Sequence, residues 1–120
     1  MTTSEIATVL AWQDALTAAD LETLVALSSP DIEVGDSAGA GQGHQALRQW
    51  AAGAGVTDEL GRMFVRDGVV VVELVPAGPG RDPAAAAFRV VHDHVTAVFR
   101  HPDLAAAFAA TGLAEADRAD

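Results

Sequence analysis

Several short stretches of this chain carry residue types that could do chemistry. Gly35-Asp36-Ser37-Ala38-Gly39 matches G-x-S-x-G, the turn that presents a nucleophilic serine in many hydrolases. Such an elbow needs a strand running straight into a helix. Here the glycines continue to Gly43 before helical periodicity begins, and 120 residues are too few for an α/β-hydrolase. Gly39-Ala40-Gly41-Gln42-Gly43-His44 breaks the dinucleotide pattern at its last glycine, and a phosphate loop needs a lysine that the chain lacks. The whole stretch therefore reads as a connection.

His92-Asp93-His94 and His101 supply imidazoles, and a metal needs three or four convergent donors. A hairpin turning at His92-Asp93 puts His94 and His101 on opposite faces, so no metal site is expected. That register groups Arg89, His94 and Arg100 on one face. It leaves Phe88, Val90, Val95, Ala97, Phe99 and His101 on the other. His101 ends a strand on that apolar face, where an imidazole can give or take a proton near neutral pH. Asp103 either shares that chemistry or caps the helix that follows Pro102. Arg62 and Glu73 face each other across a second hairpin that turns at Asp67-Gly68. They form a cross-strand ion pair, at a pocket or at an interface depending on which sheet face is concave.

The elements that would position these groups follow from periodicity. Thr2-x-x-Glu5 opens a helix over 4–19 with Ile6, Val9, Leu10, Trp12 and Leu16 at helical spacing. Asp20 caps a second helix, LETLVALSS, closed by Pro30. Ile32 and Val34 alternate with Glu33 in a short strand. HQALRQWAA is a third helix with Leu47 and Trp50 on one face and Gly53 at its end. Residues 57–66, 69–75, 84–91 and 94–101 are strands, with AGPGRDP a loop in the middle. Leu104, Ala107 and Phe108 mark a last helix stopped by Gly112.

The order α-α-β-α-β-β-β-β-α predicts one α+β domain over 1–120, a curved antiparallel sheet wrapped over helices, with 1–3 and 114–120 frayed. Trp12, Trp50 and Phe64 are core residues by type, and both tryptophans could also wall a pocket. Glu33 faces solvent unless the fold closes over it.

Bulk composition excludes several classes. There is no cysteine, hence no disulfide scaffold or thiol chemistry. Seventeen acidic side chains against seven arginines give a net charge of −10, which repels nucleic acid and anionic membranes. No apolar run approaches the roughly 18 residues that cross a bilayer. MTTSEIATVL lacks a basic signal-peptide region, so a cytoplasmic location is expected.

DIEVG in the first strand, the glycine-led GHQALRQW helix and the closing RHPDLAAAFAATGL together resemble the SnoaL-like branch of the nuclear transport factor 2-like (NTF2-like) superfamily. The resemblance implies a cone-shaped fold around a pocket, commonly dimeric through the outer sheet face. Its members include polyketide cyclases, ketosteroid isomerases and limonene-type epoxide hydrolases. It implies a small hydrophobic ligand, no cofactor, and, for an enzyme, proton transfer of the isomerase, cyclase or dehydratase kind through a pocket carboxylate or His101. The chain has no tyrosine and no Asp-Arg-Asp set, since Phe64 stands two residues after Arg62. The site expected from these residues comprises His101 and Asp103 for chemistry, with Trp12, Trp50, Glu33, Phe64, Arg62 and Glu73 around the ligand. The alternative is a non-catalytic ligand-binding or dimeric accessory module.

Overall fold

A computed structural model describes residues 2–36, 39–53, 59–76 and 83–119. Ser37, the beginning of the expected 57–66 strand and nearly all of AGPGRDP lie outside the described residues. Helix α1 spans Thr2–Thr17 and buries Val9, Trp12 and Leu16, spaced three and four apart, together with Gln13 and Ala15. Ala19 takes a left-handed φ of 58° and reverses the chain. Asp20 then caps α2, Leu21–Ala26, accepting from the Thr23 amide at 3.3 Å and the Thr23 hydroxyl at 2.7 Å.

Helix α2 stops earlier than expected, because the Ser28 hydroxyl donates to the Leu24 carbonyl at 2.7 Å and Pro30 disfavours helix before it. The chain is instead already extended in β1, Ser28–Asp36. The glycine-rich connection holds a sixth strand, β2 (Gly39–Gln42), paired antiparallel with β1. Gly and Ala carry little strand propensity, so backbone pairing alone defines it. Helix α3, His44–Gly53, turns fully buried Leu47 inward.

Strands β3 (Glu59–Arg66), β4 (Val69–Val75), β5 (Ala84–Val91) and β6 (His94–His101) form the expected meander. The sheet order is β2-β1-β6-β5-β4-β3, with β1 and β6 parallel and the rest antiparallel. Two-residue turns close both hairpins, with left-handed φ at Asp67, Gly68, His92 and Asp93. Helix α4, Leu104–Thr111, is capped by the Asp103 carboxylate on the Ala106 amide at 2.8 Å and ended by Gly112 at φ 81°.

The sheet buries both faces. On the inner face Val65, Val70, Val72, Leu74, Ala86, Phe88, Val95 and Val98 pack against α1, α2 and α3. On the outer face Phe64, Val71, Ala85 and Ala87 lie under α4 and Leu113, with Phe64 edge-on to Phe108 at 4.9 Å. In the β3–β4 hairpin Arg62 and Glu73 meet, as expected from the Asp67-Gly68 turn. The predicted face grouping of β5–β6 is not the observed one.

Beyond the turn Val90 pairs with Val95, but Arg89 then pairs with Ala97, leaving Thr96 as an extra residue. Its hydroxyl donates to the Arg89 carbonyl at 3.3 Å. This bulge reverses every later side chain of β6. Ala97, Phe99 and His101 face outward with Arg89, while Val98 and Arg100 face inward with Phe88, correcting the predicted grouping.

The C-terminal segment also departs from expectation. A short 3-10 turn, Glu115–Asp117, brings Arg118 into an antiparallel bridge with Phe64, and the Ala119 amide donates to the Met63 carbonyl at 2.9 Å. The segment covers the edge of β3 instead of fraying. Because Phe64 is fully buried between β3 and α4, Phe64→Ala should cost about 3–5 kcal/mol in urea unfolding. A loss below about 1 kcal/mol would mean that the outer cluster is not part of the cooperative core.

Candidate functional site

The sequence-predicted site residues fall in three places. Trp12 and Trp50 meet inside the cone; Glu33 and His101 open onto the outer sheet face; Arg62, Glu73 and Phe64 belong to the far end of the outer face. Asp103 is at none of them, since its carboxylate caps α4.

Inside the cone, Trp12 is fully buried, with its ring 5.4 Å from Phe88 and 6.0 Å from Trp50. Its indole N–H donates to Ser28 Oγ at 2.9 Å, which satisfies a polar atom that burial would otherwise penalise. Gln13, Leu16, Leu74, Ala86, Val98 and Arg100 complete the wall. The free space is about 10 Å³, enough for about one water, so side chains fill this cone. Among the described residues its lining holds no carboxylate and no imidazole. Gln13 and Arg100 are the polar members that sequence reasoning missed. Gln13 sits four residues after Val9 and one after Trp12, on the buried stripe, so the signal was present. Arg100 became visible only with the Thr96 bulge.

A larger space, about 630 Å³, lies open on the outer face. Asp31 and Glu33 of β1, Arg89 of β5 and Thr96, Phe99 and His101 of β6 line it beside the end of α4. The Phe99 ring lies over Gly35, where a Cβ would come within 2.8 Å of it. The first glycine of the G-x-S-x-G stretch thus serves a close approach between strands.

At the third place, Gly61 and Arg62 stand together opposite Glu73, in a bulge of β3. Arg62 Nε and Nη2 donate to Glu73 Oε1 and Oε2 at 3.1 and 3.2 Å, a two-pronged pair, and Arg62 Nη1 reaches Glu115 at 3.5 Å. The Arg62 side-chain hydrogen bonds hold the Glu73 carboxyl below its ordinary value against the opposing effect of burial. Partnered in this way, Glu73 is an ion-pair member. Among the described residues no three His, Asp or Glu side chains gather to hold a metal. Nor is any helix among them long and apolar enough to cross a membrane.

Two outcomes test this geometry. Ser28→Ala strands the buried Trp12 N–H and the Leu24 carbonyl, and should cost about 1–3 kcal/mol by thermal or urea unfolding. Glu73→Gln should reduce stability at neutral pH. Since folding lowers the Glu73 pKa, its contribution is present above the ordinary glutamate range and is lost as pH falls through the lowered value. Wild-type and variant unfolding curves should therefore converge in acid, and a gap independent of pH would remove the ion pair as its cause.

No protein-family model matches the chain, and no curated protein matches its sequence. Solved structures do. An NTF2-like protein from Burkholderia xenovorans LB400 superposes with a TM-score of 0.66 at 25% identity, over 91% of this chain and 96% of that one. A protein from Sinorhizobium meliloti assigned as a polyketide cyclase gives 0.68 at 20% identity, over 78% and 93%. An M. tuberculosis LEH-like epoxide hydrolase gives 0.67 at 19% identity, over 89% and 88%. An architecture shared under such different names does not by itself assign a chemistry. The curved sheet wrapped on three helices, with a fourth helix on its back, is the NTF2-like fold.

Proposed function

We propose that this chain is a small-molecule-binding module, with the Trp12–Trp50 cone as its binding site and catalysis no part of its role. One observation carries the reading: the described wall of the cone is aromatic and aliphatic, with an amide and a guanidinium but no group that shuttles a proton at neutral pH. Trp12 is fixed by its bond to Ser28, whereas Trp50 is half-buried at the margin and is the side chain whose movement would admit a ligand. A compact hydrophobic molecule bearing a carbonyl or carboxylate oxygen fits this lining. Rings would stack on the indoles, and the oxygen would meet the donors of Gln13 and Arg100. We also take the chain to act as a homodimer paired through its outer sheet face.

A second reading, acid-base chemistry of the isomerase or cyclase kind, rests on His101 at the roomy outer groove. His101 and the tryptophans lie on opposite faces of the sheet, so one variant separates the two readings. Small terpenoids, steroids and polyketides should be titrated while tryptophan fluorescence and melting temperature are followed. With two tryptophans and no tyrosine, the emission reports the cone alone. A ligand at 100 times its Kd should stabilise the fold by about 2.7 kcal/mol. Trp50→Ala should enlarge the cone enough to take benzene-sized probes, and His101→Ala should leave binding intact. If neither wild type nor Trp50→Ala responds to any compound, the binding reading fails. Turnover abolished by His101→Ala would establish the second reading in its place.

A further inference from the structure

β3 ends the sheet with β4 on one flank, so its other flank is an edge. The C-terminal segment lies along that edge and engages it in three ways. Its backbone pairs where Arg118 bridges Phe64 and the Ala119 amide donates to the Met63 carbonyl at 2.9 Å. Its carboxylates meet cations of β3, Glu115 at 3.5 Å from Arg62 Nη1 and Asp117 at 3.6 Å from Arg66 Nη1. Leu113 enters the outer cluster with Ala107 and Phe64. Arg66 also donates to the Gly112 carbonyl, so it grips the segment at both ends of its turn.

The hold is light. Between Gly112 and Ala119 only Leu113 is buried, and the bridge engages one position of an eight-residue strand. The side chains of Arg62, Arg66 and Glu115 remain 39%, 48% and 66% exposed, so water and salt screen their pairs. Arg62 keeps its two bonds to Glu73 when Glu115 leaves, so opening strands no buried charge. Segments with so few buried contacts open locally while the domain stays folded.

We infer that the β3 edge is a docking site for an acidic peptide segment of a partner protein, and that the C-terminal segment occupies it as a displaceable stand-in. The inference concerns the edge of the sheet and is independent of the ligand reading of the cone. The segment's own contacts state what the partner must bring. It needs an apolar side chain for the outer cluster, carboxylates two residues apart for Arg62 and Arg66, and a backbone antiparallel to β3. A partner strand can pair along more of β3 than the one position the segment uses, and so displaces a competitor tethered in cis. Charge selects an acidic sequence. The chain as a whole carries −10 and repels such segments, whereas this edge offers them two guanidinium groups.

The probe is a fluorescein-labelled peptide with the segment's own sequence, LAEADRA, titrated by fluorescence anisotropy against the full chain. Glu115→Arg/Asp117→Arg repels the segment from Arg62 and Arg66 and should bind the peptide about tenfold or more tighter than wild type, because the competitor in cis is gone. Amide shifts on binding should fall at Met63, Phe64 and Val65 and spare β2. Arg66→Glu should reverse the preference, taking LAEARRA over LAEADRA, and that reversal excludes misfolding as the cause of lost affinity. In wild type the Ala119 amide should exchange with deuterium by local opening, insensitive to low urea, while β4 amides exchange with global unfolding. No binding by the released variant, equal affinity in wild type, a preference unchanged by Arg66→Glu, or Ala119 exchange only with global unfolding would each overturn the inference. A released variant that self-associates instead of taking the peptide would put a second copy at the edge and overturn it likewise.

Discussion

The arrangement of this protein turns on a short buried chain of hydrogen bonds, from the Trp12 indole to Ser28 Oγ and from that hydroxyl to the Leu24 carbonyl. It joins α1, the end of α2 and the start of β1 at one point. The same serine ends a helix, begins a strand and pays the desolvation cost of the largest side chain in the cone. With Trp12 held there, Phe88 and Trp50 pack on its ring and the cone closes over its own residues. A less polar anchor would leave the indole N–H unpaired and the ring free to turn.

The second constraint is the extra residue in β6. An uninterrupted hairpin would have sent Arg100 outward and brought Ala97, Phe99 and His101 into the cone. Thr96 reverses that, supplying the cone with a guanidinium in place of an imidazole and giving the outer face a small residue flanked by opposite charges. One bulge thus decides which side chains of β6 line the interior and which line the outer groove. The Arg62–Glu73 bulge in β3 works differently. There a strand irregularity, with Gly61 leaving room for the carboxylate, lets a cation grip an anion and hold the C-terminal turn through Glu115.

Burial on both sides of one sheet explains why the strands are rich in Val and Ala in succession rather than strictly alternating. β4 reads Val-Val-Val-Val because Val70 and Val72 face α1 while Val71 faces Phe64. Near β3 and the C-terminal turn, Glu73, Glu115 and Asp117 pair with Arg62 and Arg66.

Much of this was readable from local chemistry. Asp67-Gly68 and His92-Asp93 mark their hairpins, the stripe of Val9, Trp12 and Leu16 orients α1, and Asp103 and Gly112 bound α4, because caps and two-residue turns depend on a few neighbouring residues. The Arg62–Glu73 pair was legible for the same reason, being set by its nearby turn. What local chemistry could not reveal are features that exist only when distant strands pair. β2 is glycine and alanine until β1 lies beside it. The C-terminal segment looks like a polar tail until the edge of β3 offers it a backbone partner. The Thr96 bulge has no signature in its own residues, yet parity along a strand has a period of two, so that single insertion moved His101 and Arg100 to opposite sides of the molecule. Sequence settled which residues could do chemistry; only the assembled sheet settled which of them share a space.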